Sequence, residues 1–109
     1  DTARKQDVGR VVSALQSYMA DNGNEFPAGG AFSCFNSSGF SSYVGNLSTM
    51  NASNICFEPG VNNYQVGPNM DIYIDRTCAP TGSTAMPVST GDAAVVVKLS
   101  SGNYYCASV

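Results

Sequence analysis

Four cysteines, Cys34, Cys56, Cys78 and Cys106, are the residues of this 109-residue chain whose type and spacing speak most directly of chemistry. No two of them form a Cys-x-x-Cys pair, and the chain contains no histidine. A zinc site would have to gather all four thiolates from distant segments. Oxidation in pairs suits the spacing better and implies an oxidising compartment. Of the three possible connectivities, Cys34–Cys56 with Cys78–Cys106 closes two modest loops. Each bridge would then contribute about 3–4 kcal/mol through loop closure, a large share of a net stability of roughly 5–15 kcal/mol.

Other chemistry finds less support. The chain has many serines but neither a histidine to serve as base nor a Gly-x-Ser-x-Gly turn. Its carboxylates are scattered, without the facing pair that glycoside hydrolysis needs. Asp71, Asp75 and Asp92 lack the ligand-dense loop of a calcium site and read as solvated carboxylates on strand faces. No catalytic residue, metal site or cofactor is therefore expected, and the chain does not read as an enzyme. Asn36, Asn46 and Asn51 each open an Asn-x-Ser triplet, which a chain rich in both residues produces by chance. Net charge is −3. Arg4, Lys5 and Arg10 balance Asp1, Asp7 and Asp21, whereas the rest sets Glu25, Glu58, Asp71, Asp75 and Asp92 against Arg76 and Lys98. Such a surface repels a phosphate backbone, so direct nucleic-acid binding is not expected.

The elements that must position the cysteines begin with a helix over residues 2–21. Val8, Val11, Val12, Leu15, Tyr18 and Met19 recur at helical spacing and share one arc. Asn22-Gly23 predicts a left-handed cap. Arg4 falls in the middle of the arc, so docking is expected from about Val8 onward, with the first turns projecting. Asp1 and Lys5 are spaced for an i,i+4 ion pair. Gly9 interrupts the polar side at a cost of about 1 kcal/mol relative to alanine. With Ser13 and Ala20 it forms a stripe of small side chains that would let another backbone approach. Residues 24–69 read as a long connection anchored by Phe32, Phe35, Phe40, Tyr43 and Leu47, with a short helix near 40–46. Residues 70–75, 93–99 and 104–108 read as strands. The last two form a hairpin around the turn at 100–103, and 76–92 is a variable loop. The expected architecture is α+β: one amphipathic helix laid across a small antiparallel sheet with two disulfides, in a single domain of 1–109.

Residues 3–23, ending Tyr18-Met19-Ala20-Asp21-Asn22-Gly23 before Phe26-Pro27, resemble the second half of the long helix of type IV pilins and pseudopilins. The run from Leu99 to Cys106 is similar to the last hairpin of many small pilins. These stretches cover about a third of the chain. The resemblance implies an upstream hydrophobic half-helix, behind a short processed leader, that anchors the subunit in the inner membrane and then forms the filament core. It also implies an early glutamate in that half-helix, and a bridge such as Cys78–Cys106 around the variable loop.

On this reading the chain is the soluble head of a cell-surface filament subunit. Its partners are copies of itself or other pilins, packed through the helix with Gly9 and Ser13 at the contact. The filament would serve attachment, motility or DNA uptake. A minor tip pilin or adhesin that binds a host-cell surface ligand through residues 30–66 or 76–92, and a secretion pseudopilin, are the alternatives. A rival echo of an immunoglobulin strand lies in Tyr104-Tyr105-Cys106, but the chain has no tryptophan and opens on a helix. That rival would require Cys34 joined to Cys106.

Overall fold

The computed structural model describes residues 2–25, 33–34, 40–50, 54–59, 70–78, 89–100, 102 and 104–109. The helix α1 spans Thr2–Asp21. It ends where Gly23 takes φ 67° and Asn24 φ 65°, a reversal that glycine accommodates without steric cost. The Asn24 N–H then reaches the Met19 carbonyl at 2.8 Å, and Asn22 Nδ2 donates to the Tyr18 carbonyl at 2.8 Å. Carbonyls that the helix leaves open are thereby satisfied.

After α1 come strand β1 (Ser33–Cys34), helix α2 (Phe40–Val44) and strand β2 (Ile55–Pro59). Strands β3 (Met70–Thr77), β4 (Ser89–Lys98) and β5 (Tyr104–Ser108) follow. They form one five-stranded sheet in chain order. The β4–β5 turn closes on Gly102, whose φ is 93° and whose N–H meets the Leu99 carbonyl at 2.9 Å. The helix-on-sheet architecture is as expected.

Three expectations need correction. The sheet is mixed, because β2 and β3 run parallel, with Ile55 opposite Met70. A parallel partner requires the chain to return along the strand, and residues 60–69 supply the length: ten extended residues reach about 33 Å, against about 17 Å for a five-residue strand. The connection over 24–69 therefore contributes two strands to the sheet. Next, the first half of β3 is not solvated. It lies between β2 and β4, and Met70, Asp71, Ile72 and Tyr73 are all buried, so Asp71 is not a solvated surface carboxylate. The side chains of Asp75 and Asp92 lie outside the described residues.

The third correction concerns the helix start. Arg4 Nη1 donates to the Lys98 carbonyl at 2.7 Å, and Lys5 Nζ stands 5.3 Å from the centre of the Tyr105 ring. The first turns rest on the chain's own hairpin instead of projecting. The apolar stripe does stop near Val8, but a main-chain acceptor and an aromatic face continue the docking by other means. Asp1 and its expected pair with Lys5 lie outside the described residues.

Val8, Val11, Ala14, Leu15 and Tyr18 bury against Phe40, Val44, Ile55, Phe57, Met70, Ile72, Ala93, Val95 and Val97. Val12 packs on this core in part, and Met19 is half-buried. The opposite face of the sheet carries a smaller cluster of Tyr73, Ala94, Val96 and Cys106. Beside it Cys78 is bridged to Cys106, Cα to Cα 5.9 Å, across a separation of 28 residues. That bridge excludes the Cys34–Cys106 link of the immunoglobulin echo. It is the one disulfide described in full, where two were expected. Cys56 is also disulfide-bonded, and Cys34, whose side chain lies outside the described residues, is its register partner on β1.

Candidate functional site

With one face on the sheet, α1 turns its other face outward. Gln6, Gly9, Arg10, Ser13 and Ser17 are exposed there, and with Tyr43 they line an open groove of about 470 Å³ between α1 and α2. The fold places Gly9 and Ser13, the two residues singled out for subunit packing, one turn apart in this groove. A Cβ at Gly9 would meet no atom of the described residues within 4 Å, so none of them requires a glycine there.

The groove is framed at both ends. Arg10 Nη1 donates to the Asn46 carbonyl at 3.0 Å, tying the segment after α2 to the helix. At the far end an aromatic cluster joins α1, α2 and β2. Tyr18 meets Tyr43 and Phe40 edge-on at 5.3 and 6.0 Å, and Phe40 meets Phe57 at 5.5 Å. The Tyr43 hydroxyl donates to Asp21 Oδ2 at 2.8 Å, and this bond pushes the phenol above its ordinary pKa.

Asp7 is the residue that sequence reasoning missed. It is fully buried beside Val8, and its carboxylate accepts the main-chain N–H groups of Ser48 at 2.9 Å and Thr49 at 2.8 Å, with the Thr49 hydroxyl as a third donor. Burial alone would raise its pKa. The bonds from Ser48 and Thr49, with the nearby Arg10 charge, outweigh that and hold it below the ordinary value. Such a carboxylate clamps the segment after α2 onto the helix. The available signal was an aspartate flanking an apolar stripe, next to Val8.

Among the described residues no three histidine, cysteine, aspartate or glutamate side chains gather as a metal site. No described helix is long and apolar enough to cross a membrane. The carboxylate at Asp21 stands at the helix C-terminus, where no basic residue offsets it. That placement opposes the helix dipole at about 0.3–1 kcal/mol.

No protein-family model, curated protein or solved structure matches this chain. The geometry defines a helix laid on a five-stranded mixed sheet, with a docked inner face and a polar outer face that carries Gly9, Ser13 and Ser17.

Proposed function

We propose that this chain is a structural subunit of an extracellular filament of the type IV pilin kind, with no enzymatic role. The observation that carries the reading is the outer face of α1. A helix interior tolerates glycine at a cost of about 1 kcal/mol, and at Gly9 packing among the described residues offers no reason for that cost. Close approach of a second backbone supplies one. The overhanging first turns, which favoured the same reading from sequence, no longer support it, because Arg4 and Lys5 are engaged with β4 and β5.

Two further proposals belong to this reading. Cys34 and Cys56, opposite each other in register, form the second bridge, which would fasten the sheet's edge strand. Oxidised cysteines suit an oxidising compartment and so support the reading of a cell-surface subunit that is membrane-anchored before assembly.

The experiment is twofold. The native sequence upstream should hold about 20–25 apolar residues, enough to span a bilayer, with an early glutamate; a polar upstream region would defeat the reading. In the intact protein, Gly9→Leu should leave the head folded, with a melting temperature no lower than that of the wild type, and remove filaments from sheared surface preparations. Normal filament yield would end the case for this face.

A further inference from the structure

The charges of this chain are sorted by position. Three of its five cations, Arg4, Lys5 and Lys98, gather where the start of α1 crosses the β4–β5 hairpin. Arg4 is held on the Lys98 carbonyl, and Lys5 lies over Tyr105, the neighbour of Lys98's register partner Tyr104. Lys5 and Lys98 are exposed, and among the described residues no carboxylate pairs with any of the three. At the other end of α1, Asp21 and Glu25 are exposed around the cap, and the helix carbonyls add partial negative charge. The described partner of Asp21 is the neutral Tyr43 phenol. Lys5 and Asp21 stand about 24 Å apart along the helix, so the two ends cannot neutralise each other within one chain.

We propose that the Arg4–Lys5–Lys98 patch of one copy receives the Asp21–Glu25 end of the next, stacking copies end to end. The proposal rests on the filament-subunit reading and names one contact within it. Each contact uses two different surfaces and leaves one of each free, so further copies can add at either end. Exposed charge pairs of this kind set register and approach more than affinity. They are screened beyond about 10 Å at 0.1 M salt, so association of the isolated head is weak and salt-sensitive.

The test uses an equal mixture of unlabelled and nitrogen-15-labelled protein at low ionic strength, treated with a carbodiimide that joins lysine to carboxylate without a spacer. Amide links between Lys5 or Lys98 and Asp21 or Glu25 are expected in mixed-isotope peptide pairs. The ladder should extend beyond dimers and fade as salt is added. In sedimentation velocity, Lys5→Glu with Lys98→Glu should be monomeric, as should Asp21→Lys with Glu25→Lys, while an equal mixture of the two variants associates. All four side chains are exposed, and circular dichroism melts check that both variants fold. Links mapping to other carboxylates, a ladder that stops at dimers, or a mixture that stays monomeric would each overturn this contact. The filament reading survives those results, since it stands on the Gly9 face; it falls separately if Gly9→Leu leaves filaments intact.

Discussion

On one face of the sheet, α1 lays Val8, Val11, Leu15 and Tyr18 over Ile72, Val95 and Val97, and the aromatic cluster of α2 and β2 extends the contact. On the other face, Tyr73, Ala94, Val96 and Cys106 form a cluster of four buried residues, and Cys78 is bonded covalently to one of them. Hydrogen bonds from the Cys78 N–H to Ser108 Oγ at 2.9 Å, and between the Thr77 and Ser108 hydroxyls at 2.7 Å, hold the same corner. The first face is held by apolar area, which accumulates over many side chains. The second has less area among the described residues and is held by a crosslink, which acts largely by restricting the unfolded chain. In one small sheet the two devices can be compared directly.

The comparison can be broken most severely at Leu15, which is fully buried under the helix. Leu15→Ala should cost about 2–5 kcal/mol, read by denaturant unfolding; a loss under about 1 kcal/mol would mean that the helix face is not the main core. Replacing both Cys78 and Cys106 by alanine opens a loop of 28 residues and should cost about 3–4 kcal/mol. If the disulfide acts on the unfolded state, the native hydrogen-exchange pattern on the helix face stays unchanged while global stability drops. Selective loss of protection around Tyr73 and Val96 alone would instead show that the bridge holds native packing.

Asp7 tests the edge of the helix face. Asp7→Ala leaves the Ser48 and Thr49 donors without their acceptor and should cost about 1–3 kcal/mol. Its pH dependence has a definite sign. The folded pKa lies below the ordinary 3.8, so its contribution is complete above that value and is lost as pH falls through the folded pKa. Acid unfolding followed by circular dichroism should therefore steepen below about pH 4 in the wild type and be shallower in Asp7→Asn. Gly9→Ala touches neither sheet face and should stabilise the isolated head by about 1 kcal/mol. Destabilisation there would show that the open space beside Gly9 is already in use within the chain.

Much of the frame was legible because it rests on local signals. The period of Val8, Val11, Leu15 and Tyr18 marked α1, the Asn22-Gly23 pair marked its end, and Ser100–Asn103 marked the final turn. The Cys78–Cys106 bridge followed from loop length. The candidate site was legible in part: Gly9 and Ser13 stood out as small residues on a polar face, while Asp7 did not, because its partners lie 41 and 42 residues away. The strands at Ser33–Cys34 and Ile55–Pro59 escaped notice because they are two and five residues long and show no sustained alternation.

The amino-acid order alone determined the helix, its stop, the closing hairpin and the excess of acid over base, since each depends on neighbours within a few positions or on composition. Tertiary structure decided the parallel β2–β3 pairing, the burial of Asp71 on a central strand, the Asp7 clamp and the docking of Arg4 on Lys98. Each of these joins groups far apart along the chain, and a partner that is distant in sequence leaves no periodic trace in the residues that will meet it.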